Sequence, residues 1–252
     1  ERKLFILDVP LKFKKIFKIN SFEVKKYVFK CFDIAHNLSI NKIIKGFINA
    51  PIDKKIFDNK YLGVTEYISE KNKIKNKEVM MIHNNELSVV PLTTHIEIKN
   101  VTNKISFNLI TSKILTLNKF YLKLFKRKPK IAILGLNPHN AEMRKDSEEK
   151  KTIVPAINKL RQLGLNIKGP LISDTIFIHD YKKFDVIIGM FHDQVLTPFK
   201  ALFKFNAINI TLGLKYLRVS PDHGVAVDLI GKKRANSTSL LKCIKFINKF
   251  GK

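Results

Sequence analysis

The sequence predicts an α/β layered fold, and three observations carry that expectation. Short apolar runs rich in Val, Ile and Leu, bounded by Gly, Pro, Asn and Asp, recur along the 252 residues. Segments with apolar residues at helical spacing lie between them, which is the alternation of a layered α/β domain. Three of the seven histidines, His95, His139 and His192, follow just after such runs. In open α/β sheets ligands gather at the carboxyl ends of strands, so imidazoles delivered there are expected to converge.

Ser21 reads as a helix N-cap, followed by Phe22, Val24, Val28, Cys31, Ile34 and Ala35 at near-helical spacing. Residues 42–50 read as a largely buried strand that turns at Pro51. Residues 77–83 and 86–90 read as short strands paired around an Asn84-Asn85 turn. A helix is expected over about residues 109–124, where Leu109, Ile114, Leu117, Phe120 and Leu124 roughly share a face. The strand starting at Lys130 then leads to His139. Ile153, Ile157, Leu160 and Leu163 mark a helix stopped by Gly164, with Pro155 restricting where it begins. A strand from Asp185 leads to His192, and residues 207–212 offer another. The chain closes on an amphipathic helix capped at Ser237 or Ser239. Its expected core face holds Leu240, Ile244 and Ile247, with Lys242, Lys245 and Lys249 turned to water.

Composition narrows the function classes. The length allows one large core or two modest lobes, and 45% hydrophobic residues is normal for a globular protein. No stretch approaches the roughly 20 apolar residues of a membrane helix, and no secretory signal opens the chain. Cys31 and Cys243 lack metal or redox spacing, which fits a reducing cytoplasm. The net charge of +26 is spread along the chain, lysine interleaved with Ile, Asn and Phe. Such a surface attracts anionic substrates and polyanions alike, so a polyanion-binding protein is kept as a rival reading. No G-x-G-x-x-G follows a strand and no P-loop is present, so neither standard phosphate cradle is available. No internal repeat or low-complexity linker divides the chain. The opening at Glu1, running into a mixed apolar and basic stretch, reads as a fragment or a processed end.

Neutral imidazole is the commonest metal ligand, and three protein ligands with one open position is the pattern of a catalytic site. Taken singly, each histidine is equally an ordinary loop residue. The blocks around them are Asn49-Ala-Pro-Ile-Asp-Lys54, Thr93-Thr-His95, Gly135-Leu-Asn-Pro-His139, Gly169-Pro-Leu-Ile-Ser-Asp-Thr-Ile-Phe177 and Met190-Phe-His-Asp-Gln194. A longer stretch from Asn209 to Gly224, containing Arg218-Val-Ser-Pro-Asp-His-Gly224, follows. In this order and near this spacing the blocks resemble the 4-hydroxythreonine-4-phosphate dehydrogenase family of vitamin B6 biosynthesis. The likeness runs from about Ile43 to the C-terminus.

The resemblance implies a two-lobed fold like that of isocitrate and isopropylmalate dehydrogenases, with mixed sheets and N-terminal strands missing. It divides the chain into a discontinuous lobe of residues 1–57 and 199–252 and a second lobe of residues 58–198. The second lobe carries the histidines and the expected dimer interface. It implies that His95, His139 and His192 bind a catalytic divalent cation (zinc, magnesium or cobalt), with Asp174 and Asp193 nearby orienting imidazoles. Thr65, Lys200, Asn209 and Arg218 fall on substrate-binding positions, where Lys and Arg suit phosphate and carboxylate oxygens. The implied activity is NAD- or NADP-dependent oxidation and decarboxylation of 4-phosphooxy-L-threonine to 3-amino-2-oxopropyl phosphate. A homodimer with the site at the subunit interface is implied, with no membrane or specific nucleic-acid partner. His223-Gly224, with Asp228 and Gly231, looks like the nicotinamide-cofactor loop of the related dehydrogenases. His36, His83 and His179 have no partner pattern and read as structural or exposed.

Two departures stand out. Where the family has Gly-His-Thr-Glu, this chain has Gly63-Val-Thr-Glu66, so Val64 replaces a histidine expected to contact substrate. The family's opening segment also has no counterpart before Glu1. A lesser change is that residues 140–147, Asn-Ala-Glu-Met-Arg-Lys-Asp-Ser, replace a glycine-rich loop. This is expected to alter loop flexibility more than ligand identity. A three-histidine metal hydrolase on the same scaffold and an inactive fragment remain as further rivals.

Overall fold

The computed structural model describes residues 3–13, 21–58, 60–61, 63–74 and 77–251. Strands β1 (Gly46–Ile48), β2 (Val79–His83), β3 (Ser88–Pro91) and β4 (Ile131–Leu134) come first in the chain. Strands β5 (Ile167–Leu171), β6 (Val186–Gly189), β7 (Ile208–Leu212) and β8 (Leu217–Pro221) follow. All eight join one mixed sheet in the order β1-β8-β7-β2-β3-β6-β4-β5. β3, β6, β4 and β5 run parallel, while β2 is antiparallel to both β3 and β7. The helices are α1 (Ser21–Ile40), α2 (Val64–Lys71), α3 (Val101–Lys104), α4 (Phe107–Phe125), α5 (Val154–Gln162), α6 (His192–Phe203) and α7 (Thr238–Phe250).

The period-two alternation of the strands sorts side chains to the two faces. Val79, Met81, Val90, Ile131, Ile133, Ile188, Ile210 and Val219 meet α4, α5 and α7 on one side. Met80, Ile82, Val89, Ala132, Leu134 and Ile187 meet Val195, Leu196 and Phe199 of α6 on the other. Each of those α6 anchors is worth about 1.5–3 kcal/mol relative to exposure. A separate aromatic cluster of Phe32, Phe47, Phe57 and Tyr67 ties α1 and α2 to the β1 edge. A Cβ on Gly189 would lie 2.7 Å from Val195 Cγ1, so glycine lets α6 pack down onto the end of β6.

Several expectations need correction. Only Gly46–Ile48 of the expected 42–50 strand pairs in the sheet, and Ile43 is 69% exposed. The last helix is rotated from its expected face: Ser239, Cys243 and Phe246 are buried, whereas Leu240, Leu241 and Ile244 are exposed. Phe246 and Phe250 dock against Phe125 of α4, and this aromatic contact outweighs the aliphatic stripe. Strands β5 and β8 and helices α2 and α6 were not anticipated; Pro198 inside α6 masks its helical pattern. The Ser21 side chain, expected as a cap, lies outside the described residues. No helix among the described residues is long and apolar enough to cross a membrane.

Candidate metal and substrate site

A cavity of about 330 Å³ opens on the α6 face of the sheet, over β2, β7 and β8. Two strand ends deliver its histidines. As the chain leaves β3, Leu92 N–H donates to Gly189 O (2.9 Å) and Thr93 N–H to Met190 O (3.1 Å). The Thr93 hydroxyl donates to the same Met190 carbonyl at 2.7 Å. These bonds stitch the ends of β3 and β6 together and bring the His95 and His192 rings to 5.7 Å between centroids. His192 opens α6, and its Nδ1 bonds Asp193 Oδ1 at 2.6 Å, which leaves Nε2 as the available ring nitrogen. Burial, helped by Lys54 and His192, holds the His95 imidazole down to about 4, so it is neutral near pH 7. Its Nδ1 is buried without a hydrogen-bond partner, 4.0 Å from Glu66 Oε1.

Gln194 links the ends of two strands. Its Oε1 accepts from Met190 N–H and its Nε2 donates to Gly135 O, both at 2.7 Å, joining the ends of β6 and β4. Beyond β4, the buried carboxylate of Glu149 accepts from Leu136 N–H and Asn137 N–H, each at 2.8 Å. Burial alone would raise the Glu149 carboxyl, but the hydrogen bonds from Asn137 and Leu136 outweigh it and hold it low.

His139 follows this anchored turn and does not reach the cavity. It is exposed, with Nε2 3.9 Å from Asp174 Oδ2 and Nδ1 4.0 Å from Glu142 Oε1. Among the described residues no group of three or more His, Cys, Asp or Glu side chains is placed to hold a metal ion. One chain therefore brings together two of the three expected ligands and not the third. His139 also begins a run of five left-handed residues, with φ of 48°, 57°, 50°, 45° and 56° through Met143. None is glycine, and left-handed backbone costs L-residues roughly 1–2 kcal/mol each. The polar 140–147 loop thus carries backbone strain that a glycine-rich one would not.

All four expected substrate residues line the cavity with His95 and His192: Thr65, Lys200, Asn209 and Arg218. Arg218 is only 2% exposed. It donates from Nε to Asn49 Oδ1 (2.7 Å), and from Nη1 to Thr211 Oγ1 (2.8 Å) and Thr65 Oγ1 (3.4 Å). Burial lowers its guanidinium to about 10, which still leaves it charged at neutral pH. Lys200 Nζ lies 3.2 Å from both the carbonyl and the Oδ1 of Asp222. Burial raises the carboxyls of Asp222 and Glu66 above their ordinary range.

Glu66 Oε2, His95 Nδ1, Asn209 Oδ1 and Asp222 Oδ2 are buried, line this cavity and have no hydrogen-bond partner. A buried polar atom left unpaired costs about 1–3 kcal/mol, so four around one cavity mark a site shaped for a polar ligand. Sequence reasoning gave no role to Asn49, Lys54, Glu66, Thr211 or Asp222. All five lie within a quoted motif, but only the fold shows what they face. Val64, in the place of a histidine, is the first residue of α2 and lines the cavity with no side-chain donor.

The residues present suit a divalent cation in part. His95 supplies a neutral ring with an unpartnered buried nitrogen, and His192 a ring oriented by a carboxylate, as imidazole ligands require.

The family profile described as Pyridoxal phosphate biosynthetic protein PdxA matches residues 2–247. The 4-hydroxythreonine-4-phosphate dehydrogenase of Aquifex aeolicus is 39% identical over 208 residues, 81% of this chain and 64% of its own length. That of Sulfurihydrogenibium sp. is 39% identical over 211 residues, 82% of this chain and 65% of its own. The chain thus spans just under two thirds of these relatives. A solved 4-hydroxythreonine-4-phosphate dehydrogenase from Klebsiella pneumoniae superposes with a TM-score of 0.77 at 27% identity, covering 90% of this chain and 70% of that one. Isocitrate dehydrogenase from Methylococcus capsulatus shares the fold, with a TM-score of 0.52 at 12% identity, covering 79% of this chain and 66% of that one. The sequence blocks, the mixed sheet and these matches agree: the chain belongs to the pyridoxal phosphate biosynthetic protein PdxA family.

Proposed function

We propose that this chain carries the catalytic part of a metal- and NAD- or NADP-dependent dehydrogenase. It oxidises and decarboxylates 4-phosphooxy-L-threonine to 3-amino-2-oxopropyl phosphate, within cytoplasmic pyridoxal phosphate biosynthesis. The observation that carries this reading is that His95, His192, Thr65, Lys200, Asn209 and Arg218 line one cavity whose buried polar atoms lack partners. Arg218 and Lys200 provide charge-assisted donors for the substrate's phosphate and carboxylate oxygens. Thr65 and Asn209 fix its orientation through a hydroxyl and an amide. His95 and His192 would hold the divalent cation, with Asp193 keeping the His192 ring in place. When bound, the cation would supply Lewis acidity and a nicotinamide would serve as hydride acceptor.

A homodimer accounts for the third ligand: His139, exposed and outside its own chain's cavity, would enter the site of a second copy. The lobes are assigned as residues 1–57 with 199–252, which hold β1, β8 and β7, and residues 58–198, which hold the other strands. His223 and Gly224, on the cavity wall, and the segment on to Gly231 would meet the nicotinamide cofactor. The test is NADH absorbance on adding 4-phosphooxy-L-threonine and NAD, abolished by chelator and restored by divalent metal. Ester or amide cleavage with no nicotinamide reduction would replace this reading with a metal hydrolase.

A further inference from the structure

A second and larger cavity, about 480 Å³, lies on the opposite face of the sheet at the opposite strand ends. It is bounded by the end of β2, the turn into β3, the last turn of α4 and one face of α7. We propose that it binds a small planar aromatic ring bearing a phosphate or carboxylate.

The floor is aromatic. His83 packs 5.0 Å from Phe125 and 5.6 Å from Phe246 between ring centroids, Tyr121 lies 4.4 Å from Phe125, and Phe246 4.6 Å from Phe250. Such a surface favours a flat ring by stacking and edge contacts. The rim is cationic. Lys242, Lys245 and Lys249 recur at three- and four-residue spacing along α7, so one helix face presents them together, and Arg127 stands across from them. The sequence alone turns these lysines to water, whereas the fold sets them around a cavity. Of the two carboxylates in the lining, Asp185 is engaged by Arg127 at 2.7 Å and by Lys130 N–H at 2.7 Å, leaving Glu86 against the lysines.

Asn84 adds an independent observation. It lines the cavity, is 6% exposed, and its Oδ1 accepts from Glu86 N–H and Leu87 N–H at 2.8 Å each. Those bonds fix the amide orientation, yet its buried Nδ2 has no acceptor. An anionic oxygen would satisfy that donor, with Lys245 and Lys249 on the cavity rim as counter-charge, since Lys242 Nζ already donates to Asn206 O and Oδ1. The volume lies within the usual range for small-ligand pockets, and the site shares no lining residue with the His95 cavity.

The test is calorimetric titration of the full chain with phenyl phosphate, adenosine monophosphate and inorganic phosphate. It uses wild type, a Lys245→Glu/Lys249→Glu variant and Arg218→Met, each checked for an unchanged circular dichroism spectrum. The two aromatic phosphates are expected to bind wild type and Arg218→Met equally. Reversing the two lysines should weaken them at least about tenfold, and inorganic phosphate should bind at least about tenfold less tightly. Absence of aromatic phosphate binding, equal binding to the lysine variant, loss of binding in Arg218→Met, or equal affinity for inorganic phosphate each overturns the proposal.

Discussion

Replacing Arg218 by Met separates what this residue does for the fold from what it does for a ligand. In the folded chain the guanidinium is 2% exposed, and its hydrogen-bond partners Asn49, Thr211 and Thr65 are all neutral. Burial lowers its pKa from 12.5 to about 10, which at 1.36 kcal/mol per pH unit is a destabilisation of about 3 kcal/mol. The sign is fixed: a cation whose folded pKa is lowered destabilises the fold at every pH below that value, including neutrality. Met removes this cost but strands Asn49 Oδ1 and Thr211 Oγ1, at about 1–3 kcal/mol each. The two effects nearly cancel, so the melting temperature should move by less than about 8 °C in a chain of this size. Substrate binding has no such compensation. Two lost charge-assisted hydrogen bonds, about 1.5–3 kcal/mol each, lower kcat/KM by roughly 10²–10⁴-fold. Thermal unfolding followed by circular dichroism, beside NADH-coupled kinetics, measures both. A melting temperature more than about 15 °C lower, with kcat/KM of the folded fraction retained, would make Arg218 a structural residue and refute the reasoning.

The remaining expectations concern the third ligand, the strained loop and acid stability. His95→Ala and His139→Ala should each be inactive alone, yet mixed and refolded together they should recover about a quarter of wild-type activity. Half of the dimers are then mixed and each mixed dimer keeps one intact site; recovery near zero places all the ligands on one chain. Glu142→Gly relieves a left-handed position with an exposed side chain (φ 45°) and should raise the melting temperature by roughly 2 °C; a fall would mean the run is not strained. Acid should destabilise the fold as pH drops from about 6.5 to about 4. Burial lowers His83 and His95 to about 4, so the unfolded imidazoles take up protons that the folded ones refuse. His83→Phe should flatten part of that pH profile in urea titrations, and an unchanged profile would remove His83 from the account.

Family, fold class and six residues of the cavity lining were legible in the linear order of residues. Strand-end histidines, alternating apolar runs and the blocks from Asn49 to Gly224 are local patterns, and local sterics and patterning write them directly into sequence. Thr65, Lys200, Asn209 and Arg218 were identified by the family resemblance, and the fold gathers them with His95 and His192 around one cavity. Tertiary structure decided the rest. The α7 register followed the aromatic docking of Phe246 and Phe250 onto Phe125, because burial chooses the best-packed face, and moment alone named the wrong one. His139 fell outside its own cavity, at the start of a left-handed run, a conformation no apolar period encodes. Glu66, Asp222 and Asn84 became informative only once burial stripped partners from their polar atoms. Desolvation is a property of the assembled fold, and no spacing in the sequence reports it.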